Sequence, residues 1–372
     1  MRVEELELFQ IEMPLVNPFT TSFGTEYDRP CIIVRLAGEG AEGWGECVAG
    51  AGPWYSYETI GTAWHVMTNF IAPAIIGEEV SDAEHLWTRL ARIRGHRMAI
   101  AGVEHALWDA LARAEGKPLS ALLGGTRGET PSGVSLGIQA SPQKLVEVAK
   151  RHVDQGYQRI KLKIAPGVDI PFVAAVREAL PDILLSVDAN SAYTLADIER
   201  LRELDAFNLL MIEQPLDEDD IVDHAVLQRE LRTAICLDEA IRTPDDARHA
   251  LALGSCRIIN IKPGRVGGYL RAKHIHDIAQ AADVPVWCGG MLETNIGRAG
   301  NIHLASLPNF TLPSDISASA RYFHEDIAGP SFVLTARGTM DVRQEPGIGV
   351  EVDRAALKRF TTSHSLQTVA RS

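Results

Sequence analysis

The sequence predicts an α/β fold, a TIM-like barrel of eight parallel strands joined to a smaller α+β domain, and three observations carry that reading. Lys163, Asp188, Glu213, Asp238 and Lys262 recur at intervals of 25, 25, 25 and 24 residues. Each closes a short apolar run: Arg159-Ile-Lys-Leu-Lys-Ile, Ile183-Leu-Leu-Ser-Val-Asp, Leu209-Leu-Met-Ile-Glu, Ala234-Ile-Cys-Leu-Asp and Ile258-Ile-Asn-Ile-Lys. Continuous runs of this kind suit a parallel sheet buried on both faces. The length, 372 residues, divides naturally into a barrel and a second domain.

The elements follow in order. Residues 3–12 and 30–36 alternate as strands do, Gly43-Trp-Gly-Glu-Cys47 follows, and intervening turn residues make an antiparallel meander. Helical periodicity runs from Thr59 to Leu123, with amphipathic segments over 82–93 and 99–115. Gly116 and Pro118 read as a helix stop, and Leu122-Leu-Gly-Gly125 as a boundary. From Ser132 the texture changes to strand, helix, strand, helix. Val134-Ser-Leu-Gly-Ile-Gln139 is the first barrel strand, with its helix over 142–156. The five runs above supply strands two to six, Val284-Pro-Val-Trp-Cys-Gly-Gly290 the seventh and Phe310-Thr-Leu-Pro-Ser-Asp315 the eighth. The tail from Tyr322 returns to the N-terminal region. The expected division is therefore an α+β domain over 1–125 completed by 322–372, and a barrel over 126–321.

Composition narrows the class. Hydrophobic content of 46% and charged content of 23% are those of a soluble globular chain. A net charge of −13 argues against nucleic-acid or anionic-membrane partners, which call for a basic face. No run approaches the roughly 18–20 apolar residues of a membrane span, and the N-terminus lacks the apolar core of a signal peptide. The five cysteines are scattered and form no C-x-x-C pair, as expected of reduced thiols in a cytoplasmic protein.

Barrel enzymes place their chemistry at the C-terminal ends of strands. There Asp188, Glu213 and Asp238 supply only oxygen donors, a set that favours Mg²⁺ or Mn²⁺ over zinc. Strand-end acids can also cap helices or pair with arginines, but three in consecutive units favour a shared cation. Lys161 and Lys163, two apart on a strand, point to one face, where like charge depresses an ammonium pKa toward the range of a useful base. Lys262 stands across the barrel, with an anion contact or a salt bridge as its plainer role. The loop Pro263-Gly-Arg-Val-Gly-Gly268 offers only a weak anion-binding signal. Two lysines flanking a metal suit removal of a proton α to a carboxylate through an enediolate. Racemisation, β-elimination and cycloisomerisation all remain open at this point.

In these residues the chain resembles the enolase superfamily and its muconate-lactonizing-enzyme subgroup, which carries Lys-x-Lys on the second strand and lysine on the sixth. Lys161-Leu-Lys163, Lys262, Val187-Asp-Ala-Asn190, Ile212-Glu-Gln-Pro215, Leu237-Asp-Glu239, Lys262–Gly268 and Gly289-Gly-Met-Leu-Glu-Thr294 carry the likeness. Within the subgroup it is most similar to o-succinylbenzoate synthases that also racemise N-acylamino acids. The resemblance implies a (β/α)7β barrel whose mouth is capped by the N-terminal domain. It implies Mg²⁺, with Mn²⁺ or another divalent cation also accepted, on Asp188, Glu213 and Asp238. Lys163 is then the principal base. Lys262 is the acid/base of the opposite face, and Lys161 lowers the pKa of Lys163 and reaches the substrate carboxylate.

The same likeness implies substrate contacts at Ser135, Asn190, Arg265, Met291 and Leu292. It also implies a lid from two loops near 17–28 and 49–57, carrying Phe19, Phe23, Trp54 and Tyr55. Asn190 would support the metal ligands from behind; Glu239 would point to the opposite side of Asp238 as their structural partner. Asn295 and Gly300 depart from the glycine and histidine more frequent in relatives, which bears on the shape of the pocket. The seventh strand ends Trp287-Cys-Gly-Gly290 without histidine, disfavouring sugar-acid dehydration, and Ser314-Asp-Ile-Ser317 holds one acid where dipeptide epimerases have two. Muconate-type cycloisomerisation and dipeptide epimerisation stay as alternatives, and a barrel without catalysis as a remote one. The partner expected is a small carboxylate, and the assembly a homo-oligomer.

Overall fold

A computed structural model describes residues 1–369. Three antiparallel strands open the chain: β1 (Glu5–Thr21), β2 (Gly24–Gly38) and β3 (Ala41–Cys47). Along β1 Leu6 and Leu8 are buried on one face of the sheet and Ile11 and Met13 on the other, in two separate core clusters, so this strand is covered on both sides. Helices α1 (Ile60–Val66), α2 (Ala83–Arg89) and α3 (Arg97–Ala114) follow. The segment expected as one helix over 82–93 is the shorter α2, started by Asp82, whose side chain accepts the His85 N–H at 2.8 Å. α3 is buried along most of its length and covers β2 and β3.

The barrel strands are β4 (Gly133–Leu136), β5 (Arg159–Lys163), β6 (Leu184–Asp188), β7 (Ile212–Glu213), β8 (Ile235–Leu237), β9 (Ile258–Ile261) and β10 (Val286–Cys288), all parallel and paired in chain order. Between them run α4 (Pro142–Asp154), α5 (Ile170–Ala179), α6 (Ile198–Glu203), α7 (Val222–Glu230), α8 (Pro244–Leu253) and α9 (Tyr269–Ala281). Ser141 before Pro142 and Thr243 before Pro244 start α4 and α8. In each, the hydroxyl accepts a backbone N–H while proline presets the first turn.

The eighth strand is shorter than expected. Residues 310–315 close the barrel through single parallel bridges, Val286 to Phe310 and Ser132 to Ser314, with Gly133 N donating to Ser314 O at 2.7 Å. Pro313 has no N–H to give a ladder, so a regular strand cannot run through it. After α10 (Asn295–Ala305), the tail folds as α11 (Arg354–Phe360) and β11 (Thr361–Thr368). β11 pairs antiparallel with β1, placing Phe9 opposite His364, so the end of the chain completes the first sheet.

The two parts are locked together at the sixth barrel unit. Glu104 of α3 accepts the Tyr269 and Leu270 N–H groups at 2.8 and 2.9 Å, capping α9 from another domain. A Cβ on Gly268 would stand 2.2 Å from Glu104 Oε2, so the close approach requires glycine there. His105, next along α3, stacks on Tyr269 at 4.0 Å between centroids.

Candidate active site

Strand register assembles the charged residues. Lys163 pairs with Asp188 and Asp188 with Glu213 across three neighbouring strands, at one height on the mouth. Asp238 and Lys262 are the residues just past the ends of β8 and β9. Asp188, Glu213 and Asp238 are all essentially sealed from solvent. Nearby backbone is forced into the left-handed region at Asn190 (φ 42°), Gln214 (φ 38°) and Leu292 (φ 56°), unusual for residues other than glycine and common where function holds strain.

Each carboxylate meets a cation. Lys163 Nζ donates to Asp188 Oδ2 at 2.7 Å and to Asn190 Oδ1 at 2.6 Å. Lys161 Nζ lies 3.0 Å from Asp188, 2.8 Å from Glu213 and 2.7 Å from Asp315. Lys262 Nζ donates to Asp238 Oδ2 at 2.8 Å and to the Tyr55 hydroxyl at 3.1 Å. Arg265 takes the other Asp238 oxygen. Among the described residues, no three acidic, imidazole or thiol groups stand together as a closed ligand set, and the oxygens of these carboxylates are engaged by lysines and Arg265. The donor chemistry nevertheless fits a hard divalent cation: three carboxylates from adjacent strand ends, and neither nitrogen nor sulfur.

The electrostatics correct one expectation. Burial works against the charge on Lys161, but the Asp315, Glu213 and Asp188 carboxylates outweigh it and hold its pKa above the ordinary lysine value. It stands among the protein's own groups as a compensated cation, not as an uncompensated like charge. Burial likewise opposes the charge on Asp188, yet Lys163 and Lys161 hold that carboxyl well below its usual range. Burial, and then the charge on Asp188, push Glu239 up to about 7.

Lys161, Lys163 and Lys262 line one cavity of about 90 Å³. Ser135, Asn190, Met291 and Leu292 are on its walls, and Phe19, Phe23 and Tyr55 reach it from the N-terminal domain. Three residues are placed differently from expectation. Arg265 is absent from this lining; buried behind Lys262, it donates to the Ile241 and Asn260 carbonyls at 2.8 and 2.7 Å. Glu239 does not face away. β8 ends at Leu237, so strand alternation no longer applies, and Glu239 Oε1 accepts from Asn190 Nδ2 at 2.9 Å at the mouth. Trp54 is 70% exposed and borders a neighbouring chamber instead. Asn295 and Gly300 do not shape the pocket. Asn295 Nδ2 donates to the Ala328 carbonyl at 2.7 Å, and a Cβ on Gly300 would stand 1.6 Å from the Tyr269 hydroxyl.

Sequence reasoning missed the support under Lys161. Asp315 bridges it to Arg159, whose Nη2 lies 2.6 Å from Asp315 Oδ1, and both cations flank the Trp287 ring at 4.9 and 5.0 Å. Burial opposes the charge on Asp315, but Arg159 and Lys161 bring its carboxyl down to about 2. A signal existed, since Arg159, Lys161 and Lys163 alternate onto one face. Asn260, donating to Glu213 Oε1 at 2.8 Å, was also missed, with no motif to mark it.

Comparison with known proteins agrees with this arrangement. Residues 4–124 match the mandelate racemase / muconate lactonizing enzyme N-terminal domain, and residues 144–356 the enolase C-terminal domain-like family. The chain is 51% identical over 362 residues to an o-succinylbenzoate synthase of Geobacillus kaustophilus, covering 97% of this chain and 96% of the relative. It is 49% identical over 364 residues to an N-succinylamino acid racemase of Amycolatopsis, covering 98% of each. A crystal structure of an enolase-superfamily member from Listeria innocua superposes with a TM-score of 0.95 at 42% identity, covering 99% of both chains. With both domains matched and the lysines and carboxylates gathered at one barrel mouth, the chain belongs to the mandelate racemase / muconate lactonizing enzyme family of the enolase superfamily.

Proposed function

We propose that this enzyme removes the proton α to a substrate carboxylate, in a Mg²⁺-dependent reaction, as an o-succinylbenzoate synthase, an N-succinylamino acid racemase or both. One observation carries the reading: Lys163 and Lys262, from the second and sixth strands of a barrel whose seven parallel strands are closed by bridges from residues 310–315, line one small cavity from opposite sides. In racemisation one lysine takes the α-proton and the other delivers a proton to the opposite face, inverting the centre. In the elimination one lysine takes the proton while the other stays charged beside the oxygens that gain negative charge as the enediolate forms. Lys161, held charged by Asp315, Glu213 and Asp188, would meet the substrate carboxylate. A divalent cation on Asp188, Glu213 and Asp238 would add positive charge there and engage oxygens that the lysines now share.

Both chemistries start with the same proton transfer, which is why one site serves both. The reading includes a cytoplasmic homo-oligomer without nucleic-acid or membrane partners, and no helix of the described residues is long and apolar enough to cross a membrane. The test is deuterium exchange in D₂O with Mg²⁺, using N-succinyl-L-phenylalanine and its D enantiomer separately. Exchange with inversion from both is expected. Absence of exchange from either removes the racemase reading and leaves conversion to o-succinylbenzoate to be assayed by itself.

A further inference from the structure

The cavity that holds the lysines is small. At about 90 Å³ it lies below the roughly 300–1,000 Å³ of ordinary small-molecule sites. A second chamber of about 340 Å³ opens beside it, between the two N-terminal loops, and shares Phe23, Glu26, Arg29, Tyr55 and Met291 with it. Together the two have the size of a substrate site. Arg29, on β2, stands where they join.

Arg29 is 3% exposed, an unusual depth for a guanidinium. Its Nη2 donates to the Val48 carbonyl at 2.6 Å, while its Nε is buried without any partner. A Cβ placed on Gly50, which lines the second chamber, would come 4.0 Å from Nη1. Among the described residues no carboxylate lies within ion-pair distance of Arg29. Glu46 feels its charge, but the Glu46 oxygens are taken by Thr294 and Gly297. Glu58, on the chamber wall, is occupied by the Met98 and Ala99 N–H groups at 2.9 and 3.1 Å. Glu26 borders both cavities and makes no ion pair with it. A buried guanidinium with unsatisfied donors, at the junction of two cavities, fits an incoming carboxylate.

We propose that Arg29 binds the free carboxylate at the far end of the substrate's acyl arm, and so selects a succinyl group over uncharged acyl groups of the same length. The proposal rests on the function given above, since both activities named there act on molecules that carry a succinyl carboxylate. That shared group would explain how one pocket accepts an amino-acid derivative and a ring precursor.

The test compares N-succinylphenylalanine with N-butanoylphenylalanine, in which a methyl replaces the distal carboxylate, on wild type and Arg29→Met. Wild type should favour the succinyl compound on the order of 10–100-fold in kcat/KM, the factor carried by a charge-assisted hydrogen bond. Arg29→Met should lose that factor through KM while turning over the butanoyl compound within about threefold of wild type. Equal losses on both compounds, or an unchanged ratio, overturn the proposal and give Arg29 a structural role. If Arg29→Met does not fold, the wild-type ratio decides, and a ratio near one overturns it. Binding of both compounds by calorimetry separates this proposal from the function it rests on. An enzyme that turns over neither but binds the succinyl compound more tightly sinks the racemase reading and keeps Arg29; equal affinities sink Arg29.

Discussion

The two lysine faces of the site are built differently. Lys163 is held by Asp188 and Asn190, both supplied by the next barrel unit, and Asn190 leans on Glu239 two units further on. All the side-chain partners of Lys163 come from the barrel, and the N-terminal domain adds to that face only the Ser22 hydroxyl, which donates to the Asn190 carbonyl at 3.3 Å, and the aromatic wall of Phe19 and Phe23. Lys262 has Asp238 from the barrel, but its second partner is the Tyr55 hydroxyl, 207 residues earlier in the chain. Its ammonium also lies 4.4 Å from the centre of the Tyr55 ring, and Arg265 reaches the same hydroxyl. The barrel unit that carries Lys262 is also the one onto which Glu104 and His105 dock. One face is therefore set by strand register, and the other is completed only when the N-terminal domain is seated.

The largest effects come from deleting a face altogether. Lys163→Ala and Lys262→Ala should each lower racemisation by about 10²–10⁴-fold, the usual contribution of a positioned general acid or base. Each variant should still exchange the α-proton of one enantiomer, and the enantiomer should differ between the two. Proton NMR in D₂O reads this directly, and calorimetry should show that metal binding persists in both. Loss of exchange from the same enantiomer in both variants, or wild-type racemisation in either, breaks the picture of two opposed faces.

The Lys163 face was also the more legible in the sequence. Lys163, Asp188 and Glu213 are register partners on neighbouring strands at regular spacing, so alternation and the repeat of the βα unit place them without tertiary information. The eighth strand was legible as a position but not as a shape, since Pro313 reduces it to isolated bridges. Contacts between the two domains left no such trace. Tyr55 could be assigned to a loop over the mouth, but nothing in its neighbourhood says that its hydroxyl meets Lys262 rather than substrate. In the sequence Asp315 is a single acid where dipeptide epimerases have two, and nothing there shows that its partners are Arg159 and Lys161 on a strand more than 150 residues away. Arg265 shows the same gap. Its loop suggested an anion contact, and only the packed structure shows Asp238 already occupying it.

A smaller perturbation sharpens the comparison. Tyr55→Phe keeps the ring beside Lys262 and removes the hydroxyl that meets Lys262, Asp238 and Arg265. The loss of one such buried hydrogen bond corresponds to about tenfold in rate. The effect should fall on the enantiomer that Lys262→Ala ceases to exchange and spare the other within about twofold. An equal loss for both enantiomers would place Tyr55 on the substrate, not on the lysine.

The smallest effect concerns the seating of the domain itself. His105 packs on Tyr269 with its ring buried, and burial, only partly offset by the Glu46 backbone beside it, brings its pKa down from 6.5 to about 3. Above pH 6.5 the imidazole is neutral in the folded and unfolded chain alike, and its full contribution to stability is present. As the pH falls below 6.5 the unfolded chain binds a proton that the folded chain refuses. Stability therefore declines with falling pH until about 3, where the folded imidazole also titrates. Between pH 7 and pH 6 the loss from this one residue is about 0.7 kcal/mol. Urea denaturation at the two pH values should show a fall that is smaller by that amount in His105→Phe, which keeps the stack and removes the proton site. Because His105 sits on the unit that carries Lys262, acid should also slow exchange on the Lys262 face more in wild type than in the variant. An identical fall in wild type and His105→Phe would mean that the seat of the domain is not what acid loosens, and the two faces would then have to differ for a reason confined to Tyr55.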